Sequence, residues 1–163
     1  MSPSPQTLDS AGIAARIPHR GAMCLLHSLV QWSAQEIHCL ATNQADLDHP
    51  LRHGGALLAP SAVEYAAQAM ALHGALCASS GALASMAEAP TSGFLASARS
   101  VRLHVPRLDE VAGALHVRAT QLAGDSGQAM YRFSVSDDAG RALVDGRATV
   151  VLDTPLQAKA VTP

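Results

Sequence analysis

The sequence predicts an α+β fold in which one curved antiparallel β-sheet wraps around one long central α-helix. Three observations predict it: a mid-chain stretch that is apolar all round at helical length, two alternating runs before it, and four longer alternating runs after it. A helix with almost no polar face must be enclosed by other structure. Strands that alternate apolar and polar side chains have one face free to enclose it.

The 163 residues form one predicted domain, 1–163, with its core over about 17–152 and a peripheral leader and tail. Asp9 or Ser10 is expected to cap a short helix through Arg16. Pro18 ends it, because proline restrains the residue before it, and a turn follows at 18–21. Residues 23–32 and 36–42 read as two strands of a hairpin. The polar loop 43–55 then leads to a helix predicted from near Pro60 to about Ala78. Proline suits a first turn, and Ser79, Ser80 and Gly81 break the pattern. Small residues at 82–93 make a connection or an entrance. Residues 94–105, 114–122, 128–136 and 141–152 alternate and are separated by turn sequences, which reads as an antiparallel meander.

Composition excludes several classes of function. With 48% apolar residues, 15% charged and a formal net charge of -2, the chain carries no basic patch suited to nucleic acid. Arg99, Arg102 and Arg107 cluster locally and read as a solvated strand face. Residues 65–87 lack Asp, Glu, Lys and Arg, but Ala, Gly and Ser dominate them and Gln68 and His73 interrupt them, so no membrane span is expected. The N-terminus has no basic region followed by an apolar core, which predicts a cytoplasmic location. Cys24, Cys39 and Cys77 are widely spaced and odd in number, the pattern of reduced core residues. The glycine-rich loops of dinucleotide and nucleotide sites are absent, as is Gly-x-Ser-x-Gly.

The chemistry points to His49 and Glu64, fifteen residues apart. An imidazole can take a proton from carbon while a carboxyl returns one to a departing oxygen, the two tasks that elimination of water requires. His49 is expected in an accessible loop. His49 and His53 have a metal-pair spacing, but that geometry needs a helix, which Pro50, Gly54 and Gly55 disfavour, so no metal is expected. Glu64 lies in the first helical turn, where the helix dipole also stabilises a carboxylate. Gln68, one turn on, is its nearest partner. Backbone N–H groups around Ala59 to Ser61 are candidate donors to a carbonyl oxygen that gains negative charge. His27, His38, His104 and His116 fall within predicted strands and His73 within the helix, all as structural residues; His19 reads as a turn residue.

Three motifs carry a family resemblance. Ile17-Pro18-His19-Arg20 resembles the Leu-Pro-His-Arg opening of the hot-dog-fold 3-hydroxyacyl-acyl-carrier-protein dehydratases of the FabZ type. His49-x-x-x-His53 resembles their His-Phe-Pro-Gly-His, and Glu64-Tyr65-Ala66-Ala67-Gln68-Ala69 their Glu-Ala-Met-Ala-Gln-Ala. The wording is most similar to the branch associated with aryl-polyene pigment clusters. The resemblance spans about 17–152 and implies a hot-dog fold, no cofactor, and a dimer with two sites at its interface. It implies His49 as the base at C2, Glu64 of the other subunit as the acid at the 3-hydroxyl, and substrate contacts from Ala59, Gln68 and His53. Partners implied are an acyl carrier protein with its phosphopantetheine-linked substrate and a hot-dog subunit, identical in a homodimer or different in a heterodimer. Arg52 and the arginines at 99–107 are candidates at the mouth. The family has Pro-Gly where this chain has Ala59-Pro60, and its His-to-Glu spacing is one residue shorter. A hot-dog thioesterase and a non-catalytic subunit that pairs with an active one are the alternatives.

Overall fold

The computed structural model describes residues 7–80, 93–125 and 127–152, so the connection expected at 82–93 and the tail lie largely outside the described residues. The elements are β1 (Leu8–Asp9), α1 (Ser10–Ala14), β2 (Ser28–Trp32), β3 (Glu36–Ala41), α2 (Ala62–Ser80), β4 (Gly93–Leu103), β5 (Leu115–Gly124), β6 (Gln128–Ser136) and β7 (Ala142–Leu152). This is the α+β hot-dog fold, an antiparallel sheet around one long helix.

Asp9 caps α1 by accepting from the Gly12 N–H at 2.9 Å. The helix is shorter than expected, ending at Ala14, and Ile13 and Ile17 anchor it in the core with no exposed surface. The first long strand also starts later than its alternation suggests, at Ser28 rather than near residue 23. The physical reason is local: the Met23 carbonyl accepts from the Gln68 amide at 2.7 Å, and the Leu25 N–H donates to the Gln68 carbonyl at 2.9 Å. A side chain takes the bonds a neighbouring strand would otherwise take.

The four later strands are not one meander. The sheet order is β1-β2-β3-β5-β6-β7-β4, so β5, β6 and β7 follow one another while β4 crosses to the far edge and pairs only with β7. The crossing follows from α2, which precedes β4 in the chain and lies across the sheet. It contacts β3, β5, β6, β7 and β4. β4 bends at Ser100, whose φ of 52° accompanies a break in register between Arg99 and Arg102.

The core forms where α2 meets the concave sheet. Ala62, Ala66 and Ala69 are fully buried and small enough to let Tyr131, Phe133 and Val135 approach from β6. At Gly146, opposite Phe133, an added Cβ would stand 3.1 Å from both the Phe133 ring and the Val101 backbone, so only glycine fits there without displacement. His73 has the structural role expected of it: its ring is bonded to the Tyr131 hydroxyl and the Ser33 carbonyl, each at 2.9 Å. The three cysteines are free, and burial pushes the Cys39 thiol up to about 12. Phe133→Ala is expected to lower the stability by about 3–5 kcal/mol, measured by urea denaturation, because it empties the centre of this contact. A loss under 1 kcal/mol would mean that the core lies elsewhere.

Candidate active site

The loop between β3 and α2 is a run of tight turns. Asp46 N–H bonds the Asn43 carbonyl, His49 N–H the Asp46 carbonyl, and Arg52 N–H the His49 carbonyl. The turns fold the His49 ring inward, so the residue is only 5% exposed and not in the accessible position expected of it. Its two ring nitrogens are both engaged. The Leu51 N–H donates to Nδ1 at 3.1 Å, which requires a lone pair there and places the ring proton on Nε2. Nε2 then donates to the Tyr65 hydroxyl at 2.9 Å, and that hydroxyl donates to Asn43 Oδ1 at 2.7 Å. Burial lowers the His49 pKa, partly opposed by Asp46, and burial likewise raises the Tyr65 pKa.

Glu64 sits in the first turn of α2 with its side chain 31% exposed, less enclosed than an apolar helix suggests. One oxygen has two close polar neighbours, of which Gln68 donates a hydrogen bond. Oε1 is 3.0 Å from His19 Nε2 and 3.0 Å from Gln68 Nε2, while Oε2 has no hydrogen-bond partner among the described residues. The pairing with Gln68 is the one its spacing predicts. Gln68 itself is fully buried, and its amide is consumed by Met23, Leu25 and Glu64. That corrects the substrate-binding role implied for Gln68, because no donor or acceptor on it faces outward.

The helix start corrects a second expectation. Ala59 N–H donates to the Pro106 carbonyl at 3.0 Å, Pro60 has no N–H, and Ser61 N–H bonds the Leu58 carbonyl at 3.0 Å. A 3₁₀ turn over Ala59–Ser61 thus satisfies the donors internally, and the Ala59 amide is not free for a substrate oxygen. Asp109 clamps this region. It accepts from Leu57 N–H at 3.0 Å and pairs with Arg52 and Arg107, and Arg107 holds its carboxyl well below the usual carboxylate range. Of the arginines expected at the mouth, Arg52 and Arg107 pair with Asp109 and Arg102 with Asp145. His53 is exposed, with its backbone bridged to Ala56.

No hydrogen bond joins His49 to Glu64 within the chain among the described residues. The two sit beside each other in sequence space only through Tyr65, which follows Glu64 and holds His49. A cavity of about 370 Å³ opens over β2, β3 and β5, lined by Trp32, His38 and Arg118 among others, and includes neither residue. Among the described residues no three His, Cys, Asp or Glu side chains are arranged to hold a metal ion, and no helix is long and apolar enough to cross a membrane.

Sequence reasoning missed three members of the site. A tyrosine inside an apolar helix signals that its hydroxyl needs a partner, but nothing local names Asn43 or His49 as that partner. His19 was assigned to a turn, and its contact with Glu64 spans forty-five residues.

Comparison with known proteins adds the following. A family model described as ApeP-like, ApeP dehydratase, matches residues 11–161. Among solved structures, the dehydratase heterocomplex ApeI:P from Xenorhabdus doucetiae is similar at 26% identity and a TM-score of 0.74, covering 87% of this chain and 91% of that one. AziG from S. sahachiroi is similar at 15% identity and a TM-score of 0.55, covering 76% and 88%. The thioesterase HI1161 from Haemophilus influenzae has 15% identity and a TM-score of 0.54, covering 80% of each chain. The last two share the fold. No curated protein matches.

Proposed function

The chain belongs to the ApeP-like dehydratase family, and from that premise we propose that it works as one half of a paired hot-dog dehydratase. The proposed reaction converts a 3-hydroxyacyl thioester on an acyl carrier protein to the trans-2-enoyl thioester and water, with polyene-type acyl chains as the substrate class. The observation that carries this reading is Glu64, a partly exposed carboxyl whose Oε1 accepts a hydrogen bond from Gln68 and stands 3.0 Å from His19 Nε2, and whose Oε2 has no partner among the described residues. An oxygen that already accepts a hydrogen bond is the poorer site for a proton, so a protonated Glu64 carries it on Oε2. That is the arrangement of a general acid.

In the proposed step a histidine takes the proton from C2 and Glu64 Oε2 gives its proton to the C3 hydroxyl. The C3–O bond breaks, the C2–C3 double bond forms, and water leaves. The imidazolium then returns its proton to the carboxylate through water, so the site ends as it began. His49 is the proposed base at one site, working with the acid of the opposite subunit, while Glu64 works at the other site with the opposite subunit's histidine; the kcat of a variant is therefore read with the untouched site silenced, by His49→Gln for changes at Glu64 or His19 and by Glu64→Gln for changes at His49. Tyr65 occupies His49 Nε2. For His49 to act, that hydroxyl must turn away and the ring proton must sit on Nδ1. His53, exposed beside the loop, is the proposed contact for the phosphopantetheine arm.

Pairing is supported by β4, an eleven-residue edge strand bearing exposed Phe94, Leu95 and Leu103. Such an edge invites another chain. A non-identical hot-dog subunit is the reading favoured by the heterocomplex whose structure is similar to this one. Purified alone, the chain is then expected to leave a carrier-bound 3-hydroxyacyl thioester unchanged by mass spectrometry, and the hot-dog subunit that co-purifies from the native host is expected to confer loss of one water. Full turnover by the chain alone would assign the pairing to two copies. Release of a free thiol in place of water would make it a thioesterase and end the dehydratase reading.

A further inference from the structure

We propose that His19 is a positioning residue for the acid: with Gln68 it holds Glu64 Oε1, so that Oε2 alone faces the substrate. The inference rests on the dehydratase reading above and adds a residue to its machinery. The argument begins with Gln68, whose amide orientation has no freedom. Its carbonyl must accept from Leu25 N–H, and its nitrogen must donate to the Met23 carbonyl, which leaves one N–H directed at Glu64 Oε1.

A single bond leaves a carboxylate free to swing about its own axis and exchange its two oxygens. A second polar group set against the same oxygen from another direction restricts that swing. His19 stands there, outside the helix, with Nε2 at 3.0 Å. Its own turn is built to keep it there. Arg20 donates to the carbonyls of Ala14, Ile17 and His19, which ties residues 14–20 into one rigid turn after α1. The other ring nitrogen, Nδ1, is buried and makes no hydrogen bond. A histidine kept only for packing or for its turn would satisfy its buried nitrogen; this one leaves Nδ1 bare and keeps Nε2 against Glu64.

The donor also matters during the step. When Glu64 gives up its proton the carboxylate gains charge, and the Gln68 N–H and the His19 ring already in place beside it stabilise that charge without rearranging. Removing one of them should therefore act on turnover and not on substrate affinity.

The test uses the complex that removes water and a 3-hydroxyacyl thioester on a carrier protein. His19→Phe is expected to lower kcat by about tenfold or more, the scale of a lost polar contact with a charged group, with KM within about twofold. His19→Gln, whose Nε2 can reach the same oxygen, is expected to restore kcat to within about threefold of wild type. Melting temperatures of both variants within a few degrees of wild type would show that neither change acts through folding. If His19→Phe turns over like wild type, or His19→Gln is as impaired as His19→Phe, or KM rises while kcat holds, the positioning role is wrong and the dehydratase reading stands. If the wild-type complex removes no water, the dehydratase reading fails and the positioning role goes with it. Should His19→Phe not fold, His19→Gln against His19→Leu gives the same decision from kcat alone.

Discussion

Glu64→Gln is expected to lower kcat for loss of water by about 10²- to 10⁴-fold, the usual contribution of a positioned general acid. The substitution keeps the size of the side chain and lets its carbonyl oxygen go on accepting from Gln68 beside His19, at the place where Oε1 now sits. What it removes is the proton on Oε2. Stability is expected to change by less than about 1 kcal/mol, because a half-exposed carboxyl in the first turn contributes only modestly through the helix dipole. Mass spectrometry of the carrier-bound product reads the first quantity and thermal unfolding the second. A Glu64→Gln protein that melts much lower while its folded fraction keeps full turnover would make Glu64 a capping group only.

The second large effect is at His49, where burial changes the design of the experiment. His49→Ala would remove the proposed base and at the same time leave the Tyr65 hydroxyl and the Leu51 N–H without their partner. Unpaired buried polar groups cost about 1–3 kcal/mol each, so lost activity in that variant would mix two causes. His49→Gln separates them, since its amide nitrogen can still donate to Tyr65 while it has no basic nitrogen at ordinary pH. Both variants are expected to lose about 10²- to 10⁴-fold in kcat, and only the alanine variant is expected to lose stability, by about 2–6 kcal/mol for the two groups together. If His49→Gln leaves the turnover of the site it serves within a few-fold of wild type, His49 is an anchor for Tyr65 and not a base.

The sequence by itself determined those features that repeat at short range. Alternation of period two marked β5, β6 and β7 to within a few residues, because each strand has one face on the same core and nothing at longer range can change which face that is. An all-round apolar pattern marked α2, and the four-residue spacing of Glu64 and Gln68 predicted their bond, since one turn of helix brings them together whatever surrounds them. The family resemblance carried the fold and the coarse activity for the same reason, as its motifs are local words.

Tertiary structure alone decided where separated segments meet. β4 reads like its neighbours in sequence yet lies beyond β7, because the helix carries the chain across the sheet before the strand begins. The Ala59 amide has the position of a free helix-start donor, and only the arrival of Pro106 from a distant loop takes it. His49 became buried, and Tyr65 and Asn43 entered the site, through bonds between a loop and the face of a helix. His19 joined Glu64 across forty-five residues. Each of these contacts depends on which backbone and side-chain groups remain unpaired once the core has closed, and pairing of that kind is settled by packing and has no period in the sequence to announce it.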